Sequence, residues 1–224
     1  MGEMGARVRR SLADSSSRGS LASHRRERRF SIFLERFPEL REMRVLDLGG
    51  TPSYWLGCPV RPSSLVVLNL QPSELELGAE AGLNGIELIE GDACDPPAVL
   101  RRHDFDLVVS NSVIEHVGGH ARRLQFAANV TSIAPHHWIQ TPYRYFPVEP
   151  HWVFPGMQLL PTQVQASVAQ RWPLAPAHPK GAAAVSDVLW VELLTKTHMR
   201  HYFPESEILL ERFWGLTKSL IAIA

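Results

Sequence analysis

Residues 44–55 read RVLDLGGTPSYW, and the fold follows from how this stretch is taken. Its first half is an apolar run broken by one carboxylate, Asp47, and it runs into a glycine pair, Gly49 and Gly50. A short buried strand entering a glycine turn is how a doubly wound α/β sheet brings backbone close to a ligand at the carboxyl end of its first strand. With 45–48 as the first strand, further short and nearly all-apolar runs follow at 65–70, 86–89, 105–110 and 138–140. Such runs suit parallel strands covered on both faces. Helical spacing lies between them at 73–81 and 120–133, the second stopping before Pro135.

Only a short segment holding Pro52, Pro59 and Pro62 joins the first two strands, so the crossover there must be abbreviated or irregular. Before the first strand, Leu21, Phe30, Phe33, Leu34 and Phe37 share one side of a helix that ends near Pro38. The arginines fall on its other side, and the helix packs beside the sheet. At the far end Thr195 caps a helix through Tyr202, halted by Pro204, and 208–213 and 219–223 are two last strands joined by a turn at Gly215. Those two pair only as a hairpin, which gives the sheet an antiparallel strand. The expectation is a Rossmann-like α/β domain: a seven-stranded, mostly parallel sheet, antiparallel in its last strand, with helices on both faces.

With 224 residues, 45% of them hydrophobic and 21% charged, the chain suits one soluble domain over 20–224. No apolar run approaches the roughly 20 residues of a membrane span, and no secretory signal is read at the start, so the expectation is a cytoplasmic protein. Cys58 and Cys94 lack metal-ligand spacing and are too few for a disulfide framework, and no metal is expected. Charge is uneven: residues 1–30 carry +5 and the remainder −5. Residues 1–19, rich in Arg, Ser and Gly, read as a basic, disordered tail. The acidic remainder speaks against a nucleic-acid substrate. Residues 142–187, dense in proline and aromatics, break the strand–helix rhythm and read as a long irregular insertion on the substrate side.

A dinucleotide needs its pyrophosphate on backbone N–H groups at a helix start, hence the pattern G-x-G-x-x-G. Here Pro52 removes a donor, and Tyr54 and Trp55 stand where close approach is wanted. The turn suits a ligand without phosphates. In order along the chain stand VLDLGG at 45–50, VVLNL at 66–70, EGDACD at 90–95, FDLVVSNSVIEHV at 105–117 and the closing ERFWGLTKSLIAIA. Over residues 40–223 this series resembles the class I S-adenosylmethionine-dependent methyltransferases of the small-molecule type that carry a V-I-E-H-V motif after the fourth strand.

The resemblance implies S-adenosylmethionine as cofactor and a small-molecule methyl acceptor, modified at oxygen or nitrogen; the alternatives are a nucleic-acid methyltransferase that uses the basic N-terminus and a non-catalytic S-adenosylmethionine-binding module. It implies that Asp47, Gly49, Gly50 and the backbone from Thr51 to Ser53 hold the methionine part. Asn69 and Leu70 come to the ribose, Asp92 and Ala93 to the adenine, and Asn111 and Ser112 to the floor between cofactor and acceptor. The family has glycine where this chain has Thr51 and Ser53, and an acid where it has Asn69. His116 is implied either as a base or as packing near the cofactor. From the residues themselves, Tyr143, Arg144, Tyr145, Phe146, Trp152 and Phe154 are candidates for the acceptor wall. His151, then Glu149, with Tyr143 and His116 beside them, are candidates for a general base, needed only if the acceptor carries a proton.

Overall fold

The computed structural model describes residues 21–71, 85–100 and 105–224. The expected tail at 1–19 and the helical spacing at 73–81 lie outside the described residues. Helix α1 (Leu21–Arg36) leads into strand β1 (Arg44–Leu48), a short helix α2 (Pro52–Leu56) and strand β2 (Ser64–Asn69). Strands β3 (Ile86–Glu90) and β4 (Leu107–Asn111), helix α3 (His120–Ile133) and strand β5 (His136–Pro142) follow. A two-stranded ribbon of β6 (Val148–Glu149) and β7 (Phe154–Pro155) precedes helices α4 (Thr162–Arg171), α5 (Ala182–Leu189) and α6 (Lys196–Tyr202). Strands β8 (Glu207–Phe213) and β9 (Leu216–Ile223) close the chain.

The main sheet has seven strands in the order β3-β2-β1-β4-β5-β9-β8. β1 to β4 pair in parallel, as do β4 and β5, while β9 runs antiparallel to both β5 and β8. The apolar runs explain the parallel part: Leu46, Leu48, Val66, Leu68 and Val108 are buried on one face and Val45, Val67, Leu107 and Val109 on the other. One face is covered by α3 and α6, whose Phe126, Val130 and Met199, with Phe203 just past α6, share a core with Leu46, Val66 and Val108. The other is covered by α1 and α2.

On α1 the spacing of Phe30, Phe33 and Phe37 puts three aromatics on one stripe. Phe33 sets its edge against Trp138 at 5.2 Å and against Trp55 at 6.3 Å between ring centroids. The arginines do not all lie on the far side. Arg29 forms a two-pronged ion pair with Glu211 of β8 (closest 2.8 Å) and donates to Gln140, and Arg36 grips Glu207 in the same way. A long stem lets these side chains run along the helix flank and reach the sheet.

The crossover after β1 is abbreviated as expected, reduced to the five residues of α2 with Pro52 in its first turn. Thr195 caps α6 through a reciprocal capping box with His198. The stretch at 142–187 is not irregular. It carries the ribbon, α4 and α5, packed around a small core of their own: Trp152, Met157, Ala166, Ala169, Ala175, Ala184 and Val188. Its prolines lie outside the helices, as the entry to α4 at Pro161 shows, so they delimit helices instead of excluding them. Among the described residues no helix is long and apolar enough to cross a membrane.

Candidate functional site

In the order β3-β2-β1-β4 the chain steps outward from β1 to one side, then returns to add β4 on the other. At such a reversal the loops above adjacent strands diverge and leave a crevice. A cavity of about 390 Å³ lies there, lined by the strand ends: Gly49 and Thr51 after β1, Asn69 to Gln71 at β2, Gly91 to Ala93 after β3, and Ser112, Val113 and His116 after β4. Trp190, just past α5, closes one side.

The β1 turn is tightly determined. Gly49 has φ +74° and donates its N–H to the Leu68 carbonyl at 2.7 Å, and a Cβ there would stand 2.6 Å from Val113. At Gly50 a Cβ would fall 2.0 Å from the Asp47 carboxylate. Asn69 donates from Nδ2 to the Gly50 carbonyl at 2.7 Å, and its Oδ1 accepts the Gln71 N–H at 2.9 Å. Its amide thus fastens the β1 turn to the end of β2. Thr51 and Ser53 pair through their hydroxyls at 3.0 Å.

Asp47 itself is 1% exposed. Trp55 Nε1 donates to its Oδ2 at 2.8 Å, while Oδ1 is buried with no hydrogen-bond partner. Burial, only partly offset by the indole, pushes its pKa up to about 7. On the opposite wall Asp92 accepts the Cys94 N–H at 2.8 Å and Arg122 Nη2 at 2.6 Å. Burial works against its charge, yet those two donors prevail and hold it below the usual carboxylate range. Asn111 keeps both amide atoms buried without a partner, and Ser112, at φ +56°, donates to Gln140 Oε1 at 3.2 Å.

His116 links this cavity to a second group of polar residues. Its Nε2 lies 3.1 Å from His151 Nε2, with the rings nearly perpendicular at 87°. His151 donates from Nδ1 to Glu149 Oε1 at 2.5 Å, since a carboxylate can only accept. The other oxygen of Glu149, itself 1% exposed, accepts the Trp152 N–H at 2.8 Å. Glu115, also 1% exposed, accepts from Thr141 Oγ1 at 2.9 Å with one oxygen and leaves Oε1 buried without a partner. Burial raises Glu115 to about 7, and burial together with the neighbouring His151 lowers His116 to about 4.

The structure therefore brings Gly49, Thr51, Asn69, Leu70, Asp92, Ala93, Ser112 and His116 to one cavity, with Asp47 behind Gly50 and with His151 and Glu149 one contact beyond. The aromatic candidates scatter. Trp152 and Phe154 belong to the small core of α4 and α5, with Phe154 against Trp172 at 5.0 Å. Tyr143 packs on the main core and against Tyr145, which is largely exposed, and Phe146 faces Phe213. Arg144 lines a separate hollow of about 220 Å³ with Glu149 and Glu192. Glu115, Gln71 and Trp190 were not among the sequence candidates. Glu115 stands inside the V-I-E-H-V stretch, but its free oxygen depends on Thr141 taking the other.

No protein-family model and no curated protein matches the chain. Solved structures do match in fold. Magnesium protoporphyrin IX methyltransferase (ChlM) from Synechocystis PCC 6803, with bound SAH, aligns with 98% of this chain and 93% of its own at TM-score 0.56 and 9% identity. The N-methyltransferase NodS from Bradyrhizobium japonicum WM9 aligns with 89% and 94% at TM-score 0.52 and 12% identity. The N-terminal domain of EvdMO1, in the presence of SAH and D-fucose, aligns with 88% and 81% at TM-score 0.54 and 16% identity. The chain has the seven-stranded fold of these enzymes, antiparallel strand included.

Proposed function

We propose that the chain is an S-adenosylmethionine-dependent methyltransferase acting on a small molecule at oxygen or nitrogen. The observation that carries this is the cavity over the ends of four parallel strands, whose β1 turn has a buried carboxylate behind it and no phosphate cradle in front. Solved neighbours of the same fold that hold SAH support it.

The residues fit that cofactor. Asp47 Oδ1, buried and without a partner, suits an ammonium group, and Gly49, whose missing side chain makes room for Val113, offers its backbone to the cavity. Asn69 and Leu70 are assigned to the ribose, and Asp92 with the Ala93 backbone to the adenine. Asn111 and Ser112 form the floor, where two unpartnered amide atoms await polar contacts. When bound, the cofactor supplies a methyl group on a sulfonium, a good leaving system. The protein's own task is to hold the acceptor in line about 3 Å from that methyl, which is worth many kcal/mol.

For an acceptor that carries a proton, His151 is assigned as the base. Glu149 fixes its tautomer with Nδ1 protonated, so Nε2 presents a lone pair toward His116, which lines the cavity. The test is calorimetry with S-adenosylmethionine and SAH, followed by a mass-shift screen of acceptors. No binding of either at about 1 mM, which corresponds to roughly −4.1 kcal/mol, would overturn the reading. The His151→Ala variant should lose about 10²-fold or more in turnover on a protonated acceptor while keeping cofactor affinity. Unchanged turnover removes His151 from the role.

A further inference from the structure

We propose that Glu115, His116 and His151 form a binding site for a divalent transition-metal ion at the inner end of the cavity. One carboxylate oxygen and two imidazole nitrogens lie within 4.8 Å of one another. The two Nε2 atoms are 3.1 Å apart. Two nitrogens each about 2.0–2.1 Å from one ion stand roughly 3.0–3.4 Å apart, so the imidazoles already have the spacing of neighbouring ligands.

Two further features point to a cation. Glu115 is 1% exposed, and its Oε1 has no hydrogen-bond partner, although Thr141 satisfies the other oxygen. A buried carboxylate oxygen left bare is costly unless something positive meets it. His151 is backed by Glu149 through Nδ1, the carboxylate–histidine arrangement that orients a ligating imidazole and raises its basicity. Glu149 is itself held by the Trp152 N–H, so the supporting oxygen cannot swing away freely.

Two imidazoles and one carboxylate leave coordination positions open, as in catalytic zinc sites, and one of the three ligands, His116, lines the cavity. An ion there raises the acidity of an O–H or N–H placed in the open position. The loaded protein then uses His151 as a ligand, and the ion performs the activation assigned above to its lone pair. That role rests on the methyltransferase reading; binding of the ion does not.

The full chain, stripped with a chelator and dialysed, is titrated with Zn²⁺ against a chromophoric competitor, and separately with Co²⁺ while its visible absorption is recorded. The expected result is one equivalent of Zn²⁺ and Co²⁺ bands of a four- or five-coordinate N/O site. Glu115→Gln and His116→Ala should each weaken Zn²⁺ at least about 100-fold, and Glu149→Gln about 10- to 100-fold. Each variant is checked for folding by circular dichroism. Failure to saturate one site by about 100 µM Zn²⁺, or equal affinity in wild type and His116→Ala, overturns the site. SAH calorimetry on the same samples separates the two readings. Zn²⁺ binding without SAH binding leaves the metal site standing and removes the methyltransferase, and SAH binding without Zn²⁺ binding does the reverse.

Discussion

Asp47 carries the clearest consequence at the scale of a single residue. Its pKa of about 7 in the folded chain, against the ordinary value of 3.8, means that the native state retains a proton which the unfolded chain has lost. Between those two values stability therefore falls as pH rises, and the slope flattens above about 7. Glu115, also raised to about 7, contributes in the same window, so Asp47→Asn should lessen that slope in urea titrations from pH 4 to 8; an unaltered slope would show that Asp47 is not a source of it. On the proposed reading, binding of the cofactor should run the other way, because its ammonium group needs the ionised carboxylate. Affinity for SAH should rise about fivefold from pH 6 to 7 and stay level in Asp47→Asn. Gly50→Ala should cost about 1–3 kcal/mol by the same titrations, because its methyl falls on a buried carboxylate that Trp55 already holds.

Among the elements, α1 buries an aromatic stripe against the sheet beside its two ion pairs to β8, and Phe33→Ala should cost about 3–5 kcal/mol by chemical denaturation. Thr195→Ala, which breaks the cap of α6, should cost only about 1 kcal/mol. The same contrast explains what the sequence could disclose. The parallel strands were legible because each buries both faces and so reads as an unbroken apolar run, and α3 and α6 because their termini are marked by Pro135 and Thr195. Helices α4 and α5 were not legible, since they bury small alanines against a local core and leave Val164, Val185 and Leu189 exposed, which blurs any apolar stripe. At the site, the strand-end residues could be read from position alone. The contact between His116 and His151 spans 35 positions, and the bare oxygen of Glu115 depends on a threonine 26 positions away. Only the folded chain brings such pairs together.

On the scale of the whole molecule, the described residues form two cores on either face of the sheet and a third around α4 and α5. That third core is small and built largely from alanines, so it should open more readily than the sheet. Hydrogen exchange should find amides of Ala166 to Ala169 and of Ala184 to Val188 opening at a free energy below that of β1 and β4. Equal protection would mean that the cores unfold together. Glu149 belongs to the ribbon that leads into this smaller unit, and Trp152, three residues on, is part of its core. The residue that orients His151 is thereby tethered to the unit expected to open before the sheet does. On the proposed reading, loosening that unit would withdraw the carboxylate that orients His151, and reseating it would restore the pair beside His116. On the proposed role of His151 as base, a molecule with this small unit open would lack its oriented imidazole and be idle, not indiscriminate.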